Sequence, residues 1–242
     1  GTLAAYEASN WARQVGSSVE ECVEGQQITY TSTNDSIVTP YDVNAFDANI
    51  VSNVYENGVG TITFDGPVTT IGYYAFHNCD SLISIIIPNS VKNIGYGAFS
   101  GCVSLESITI GSGVTTIGED VFGGCGMLTS IEVDANNVTF DSREDCNAII
   151  KTANNILVAG CKTTVIPSGI KGIGNNAFAG NWDLTSIEIP DGVETIGSSA
   201  FGGCTLLRSV TLPNTLTTIG NDAFSTCPAL TSITIPSSVK KI

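Results

Sequence analysis

Apolar positions recur along this chain with a period of 23 residues. An Ile-Gly pair falls at Ile71–Gly72, Ile94–Gly95 and Ile117–Gly118, and again at Ile173–Gly174, Ile196–Gly197 and Ile219–Gly220. Between the two groups the spacing is 56, two periods plus 10, so the register is interrupted once and then resumes. On this register the units begin at Val59, Leu82, Leu105, Leu128, Cys161, Leu184, Leu207 and Leu230, seven full units and one part unit. Their first, fourth and sixth positions are apolar, as in Leu82, Ile85 and Ile87. The alternation from fourth to sixth predicts a short strand with every second side chain pointing inward. Proline ends the strand in five units (Pro88, Pro167, Pro190, Pro213, Pro236), since it starts a turn and donates no ladder bond. A second apolar pair follows, such as Val91 with Ile94, then Gly turns the chain and Ala-Phe brings an aromatic inward, as at Ala75–Phe76 and Ala200–Phe201.

Each unit is therefore one coil with three apolar corners, and a lone coil cannot bury them. Stacking the coils about 4.8 Å apart gives each strand a parallel partner and sets like residues over like. The expected fold is a β-rich solenoid of parallel stacked short strands over residues 59–242, with a core roughly 38 Å long for eight units at that spacing. A hairpin insertion is expected within 128–160, its arms Ala148–Thr152 and Ile156–Gly160 joined at Ala153–Asn154. Residues 1–58 lie outside the register and are expected to form an α+β N-terminal cap. Ala4, Ala8, Trp11 and Val15 fit one face of a short amphipathic helix, and Gln27–Thr31 and Ile37–Tyr41 read as a hairpin about Thr33–Asn34–Asp35. The last unit is truncated at Ile242, in the slot of the Ile of the Ile-Gly pair, with no polar cap after it. Continuation of the array, or end-to-end packing between molecules, is expected there.

The repeated pattern Leu-x-Ser-Ile-x-Ile-Pro-x-x-Val-x-x-Ile-Gly-x-x-Ala-Phe-x-x-Cys, carried by about three quarters of the chain, resembles the BspA-like leucine-rich repeats of bacterial surface proteins. The segment from Cys146 to Cys161 resembles a variant unit of the same family. The resemblance implies a leucine-rich-repeat solenoid, export, a place at the cell surface, and adhesion to or recognition of host proteins or glycans. It carries over no catalytic residues and names no ligand.

Composition narrows the partners. Net charge is −14, from 9 Lys+Arg against 23 Asp+Glu, which disfavours nucleic acid and anionic membranes, both of which need a basic footprint. The acids are scattered, so they read as a solubilising charge. No apolar run approaches the roughly 18 residues of a transmembrane helix, and no basic-then-apolar leader opens the chain. Any export signal lies outside this sequence. An extracellular or cell-surface location is expected.

Five of the 8 cysteines, Cys79, Cys102, Cys125, Cys204 and Cys227, share the twenty-first position of their units, with Asn181 in the same slot. Stacked, their Cβ vectors run parallel at one rung spacing, whereas a disulfide needs Cβ atoms about 3.8 Å apart and turned together. They read as a column of small buried side chains. Cys146 and Cys161 lie symmetrically about the hairpin turn and are a candidate disulfide, unless a one-residue change of register separates them. Cys22 has no evident partner. His77 is the sole histidine, which excludes a multi-histidine zinc site and leaves any nucleophile–histidine pair to a position read as exposed and unconstrained. The glycines fall at turns and form no phosphate or dinucleotide motif. No catalytic residue, metal or cofactor is assigned.

Ligand contact is expected on the outward strand positions. The third is Ser or Thr in all eight units and reads as structural. The fifth varies, through Thr63, Ile86, Thr109, Glu132, Val165, Glu188, Thr211 and Thr234, and is the first candidate, against an ordinary solvated β face. The second candidate is Tyr73 stacked on Tyr96 at the fifteenth position of consecutive units, beside Tyr74. They offer rigid contact area for a sugar or a protein, or packing under the cap. Trp182 reads as covering an end of the core. The expected function is a non-catalytic binding or adhesion module with a protein or glycan partner; a structural spacer is the alternative, and a hydrolase the weakest reading.

Overall fold

The computed structural model describes residues 25–242, so the helix expected over Ala4–Val15 and Cys22 lie outside the described residues. The first half contains β1 (Gln27–Ser32), β2 (Ile50–Glu56), β3 (Val59–Phe64), β4 (Thr70–Ile71), β5 (Leu82–Ile86), β6 (Asn93–Ile94), β7 (Ser107–Ile110), β8 (Thr116–Ile117) and β9 (Ser130–Val133). The second contains β10 (Phe140–Asp141), β11 (Ala148–Lys151), β12 (Ile156–Gly160), β13 (Gly172–Ile173), β14 (Ser186–Glu188), β15 (Thr195–Ile196), β16 (Ser209–Thr211) and β17 (Thr218–Ile219). Like stacks on like, as the register requires. Ile85, Ile108 and Ile131 lie in line across parallel β5, β7 and β9, and Ile71, Ile94 and Ile117 across β4, β6 and β8. At the third corner the rings of Phe76 and Phe99 stack at 5.3 Å, and those of Phe178 and Phe201 at 5.0 Å.

The glycine of each Ile-Gly pair is set by the closeness of the rungs. A Cβ on Gly95 would fall 2.6 Å from the Gly72 carbonyl carbon, and one on Gly118 2.5 Å from the Tyr96 nitrogen. Backbone cannot rotate out of the way as a side chain can. The aromatic corner then turns through two left-handed residues per unit, for example Gly97 and Gly101, or Ser199 and Gly203. Each turn is tied to its neighbour by backbone bonds such as Phe76 N–H to Ala98 O, 2.8 Å.

The cap departs from expectation. Ile37–Tyr41 forms no strand, and β1 is not half of a hairpin with it. β1 instead lies between β3 and β5, antiparallel to both. Ile28 and Tyr30 of β1 point into the core under the first parallel rung, so β1, and not the Val59 unit, covers β5. The 37–41 segment is held as a loop by the Tyr30 hydroxyl, which accepts from Val38 N–H (3.0 Å) and donates to Asn53 Oδ1 (2.8 Å). Thr31 Oγ1 lies 2.6 Å from Ser84 Oγ, carrying the hydroxyl column one strand further. Phe46 covers the end of the aromatic column, 5.7 Å from Phe76.

The hairpin forms where the turn signal placed it, with β11 and β12 as its arms. It is a substitution rather than an addition. β12 pairs in parallel with β13 so that Leu157 aligns with Ile173, taking the slot of an Ile-Gly isoleucine. The unit has no aromatic turn of its own: Gly124 N–H donates to Ala179 O at 3.2 Å, joining the turn before the hairpin to the one after it. Trp182 packs on Gly126 at this joint, where a Cβ would meet its ring at 2.1 Å. It therefore covers the middle of the solenoid and not an end of the core. Glu119 bridges the same joint, accepting from Asn175 Nδ2 at 2.9 Å. Both faces of the hairpin are buried. Ile149, Ala159 and Cys161 pack into the core on the N-terminal side, and Ala148, Ile150, Leu157 and Cys146 into the core on the other.

The cysteine column is buried, and it is more than filler. Cys102, Cys125, Cys204 and Cys227 donate from Sγ to the carbonyls of Phe76, Phe99, Phe178 and Phe201 in the preceding rung, at 3.0, 3.1, 3.2 and 3.1 Å. Asn181 does the same to Gly160 O at 3.3 Å. The slot therefore takes a compact side chain with a hydrogen to donate. Burial pushes the Cys79 and Cys204 thiols up to about 12, from an ordinary value of 9.0. On unfolding they would ionise near 9, so stability is constant below that pH and falls as pH rises toward 12. Urea midpoints at pH 7.5 and 10.5 measure this, and a midpoint that is higher at the alkaline pH contradicts it.

Candidate functional site

The strand column emerges in two registered runs. Ile86 lies beside Thr109 and Thr109 beside Glu132 on β5, β7 and β9, while Glu188 lies beside Thr211 on β14 and β16. Ile86 and Thr109 are half-buried; Glu132, Glu188 and Thr211 are exposed. Val165, between the runs, is 73% exposed, but residues 161–171 around it form no strand. The hairpin is the cause, because Cys146 O takes the Val165 N–H and Asn147 O takes the Thr164 hydroxyl. Thr63 drops out of the column, since β1 separates it from Ile86 and it pairs with Gln27.

The tyrosine cluster is rearranged. Tyr73 is 71% exposed, and it is Tyr74 that meets Tyr96, edge to face at 5.6 Å. Tyr74 sits at φ +55°, a position held elsewhere by Gly97, Asp120, Asn176, Ser199 and Asp222. A bulky residue there is strained, which marks the turn as a place to look for function. The neighbouring Asp120 charge pushes the Tyr96 phenol up, and burial pushes the Asp120 carboxyl up.

His77 is neither exposed nor unconstrained. Its Nδ1 lies 2.8 Å from Ser100 O, so that nitrogen carries the ring proton. Tyr41 and Tyr74 flank the ring at 5.3 and 5.1 Å. Beside it runs a groove of about 320 Å³ between Ile37–Tyr41 and His77–Ser81. Tyr41 belongs to this site and was missed, because the sequence pattern marks it only as the end of a supposed strand. Among the described residues, no three His, Cys, Asp or Glu side chains gather as metal ligands.

Cys146 and Cys161 are both free thiols, which corrects the candidate disulfide. Ile150 pairs with Leu157 but Ile149 with Ala159, so Val158 is an extra, bulged residue. Beyond it the register slips by one, and the Cys161 thiol donates to Asn147 O at 3.4 Å instead of facing Cys146. The two side chains end in different cores. Alkylation of the denatured, unreduced protein should label both cysteines; a peptide cross-linked through them would contradict the register.

Residues 48–155 and 157–242 match the family described as BspA type leucine rich repeat region, in six copies. The chain belongs to the BspA-type leucine-rich repeat family. This is a repeat family, with no catalytic family indicated, and the β-solenoid is its architecture. One similar solved structure is a leucine rich cell surface protein from Faecalibacterium prausnitzii, 26% identical with a TM-score of 0.55, the match covering 73% of this chain and 54% of that one. Another is the pneumococcal vaccine antigen PcpA, 25% identical with a TM-score of 0.54, covering 66% and 46%. The chain spans about half the length of each. A comparison with curated proteins returns no match. No helix among the described residues is long and apolar enough to cross a membrane.

Proposed function

We propose that this BspA-type repeat array is a non-catalytic binding or adhesion module displayed outside the cell, recognising a protein or glycan through its strand face. The observation that carries the reading is the contrast between two outward columns. Ser84, Ser107, Ser130, Thr163, Ser186 and Ser209 all carry a hydroxyl, while the column beside them runs Ile86, Thr109, Glu132, Val165, Glu188 and Thr211. Variation on a fixed scaffold is how repeat proteins set specificity along an extended surface. The similar protein named as a cell surface protein supports the location. The test is an array of glycans and host-matrix proteins, probed with the chain and with a variant carrying Glu132→Ser, Val165→Thr and Glu188→Ser. Loss of a captured partner by tenfold or more, about 1.4 kcal/mol, supports the reading. Undiminished capture by the variant overturns it; no capture by either protein favours the structural spacer.

A further inference from the structure

At the aromatic corner the rungs are joined by one recurring bond. The N–H at the twentieth position of one aromatic turn donates to the carbonyl at the nineteenth position of the next such turn, the Leu128 unit being passed over. Ser100, Gly123, Ala179, Gly202 and Ser225 accept it at 2.9, 2.7, 3.2, 2.7 and 2.9 Å. His77 holds the nineteenth position of the first turn on the register, with no equivalent turn before it among the described residues. Among the described residues its carbonyl accepts no hydrogen bond. Among the described residues the cap closes the neighbouring acceptor, Ala75 O, which takes Tyr41 N–H at 2.9 Å and Asp42 N–H at 3.4 Å.

The groove of about 320 Å³ opens at this unfinished step. Asp80, exposed, is the one carboxylate in its lining, and no Lys or Arg is there. Tyr41, 66% exposed, is steadied by His77, which is itself pinned to Ser100 O. The Cys79 thiol in the wall points at Thr39 O, 3.4 Å away, and burial keeps it protonated. A carbonyl left unbonded by the described residues, a carboxylate and an aromatic ring favour a donor-rich cation. The net charge of −14 draws such a group in, whereas a neutral sugar gains nothing from it.

We infer that this groove binds an arginine or lysine side chain of a partner polypeptide, with His77 O and the Asp80 carboxylate accepting its N–H groups and Tyr41 packing on its stem and charge. The site is separate from the strand column and does not depend on it.

The test is titration of the ¹⁵N-labelled chain with a Gly-Arg-Gly peptide blocked at both ends. The same peptide with citrulline for arginine, and a neutral oligosaccharide, are the comparison ligands. The arginine peptide should shift the amides of Thr39, Tyr41, Asn78 and Ser81 saturably. Citrulline, Asp80→Asn and Tyr41→Ala should each weaken binding about tenfold, while Asp191→Asn, at an exposed acid in another unit, changes nothing. Asp80→Asn alters only an exposed carboxylate, so it remains decisive if Tyr41→Ala disturbs the cap. Equal affinity for citrulline, no shift of those amides with arginine, or saturation by the oligosaccharide alone overturns the site. Loss of the strand-column partner would leave all of these readouts in place.

Discussion

Replacing Phe201 with alanine should lower the unfolding free energy by about 3–5 kcal/mol, the range for deleting a fully buried aromatic ring. Phe201 is wholly buried. Its ring lies 5.0 Å from Phe178 and 5.2 Å from Phe224, within 9° of parallel to both. The cavity cannot close by collapse, because the backbone on either side is fixed: Phe178 N–H bonds Ala200 O at 2.7 Å and Phe201 N–H bonds Ala223 O at 2.8 Å. Thr211→Ala, on the exposed strand face, provides the comparison and should stay within about 0.5 kcal/mol of the parent. Urea denaturation measures both. A loss below about 1 kcal/mol at Phe201 would mean that the column is not a close-packed part of the core.

The next largest effect is expected from the smallest change, Gly197→Ala. A Cβ there would stand 2.5 Å from the Asn175 nitrogen and 2.6 Å from the Gly174 carbonyl carbon. Overpacking typically costs about 1–3 kcal/mol where side chains can adjust, and more where they cannot. Here the obstacle is backbone, so the upper part of that range is expected. The rungs must separate, which weakens the 2.8 Å bond from Gly197 N–H to Ile173 O. Faster amide exchange at Gly197 should accompany the loss of stability. Gly66→Ala, with nothing within 4 Å of the added carbon, should be nearly neutral. Equal stability of the two variants would refute the steric account of the Ile-Gly pair.

What the sequence made legible was everything that repeats. Ile85, Ile94 and Phe99 announce their corners because their equivalents recur one period away, and the hairpin is readable from Ala153–Asn154 between two apolar runs. What it hid was local and unrepeated. β1 was legible as a strand, but its antiparallel place between β3 and β5 lies off the register, so no periodicity marks it. The Val158 bulge is one residue of slip, invisible in composition, yet it moves Cys161 away from Cys146. The hydrogen-bonding duty of the cysteine column depends on a carbonyl in the rung before, which no pattern of side chains reveals. The candidate site divides the same way. The variable column was found by its register, whereas the groove joins Ile37–Tyr41 to His77–Ser81, segments brought together only by the course of the cap.

The two-faced hairpin also governs how far order propagates. A repeat array behaves as a one-dimensional chain of nearest-neighbour couplings, in which disorder spreads until it reaches a weak link. One face of the β11–β12 hairpin ends the apolar contacts of one half, and its other face begins those of the other. Across that wall the halves communicate through backbone bonds, the joint of Glu119, Gly124 and Trp182, and polar contacts of Lys162 with Met127 and of Thr163 with Thr129 O. Amide exchange should therefore resolve two cooperative blocks, each opening and closing its own amides while the other remains intact.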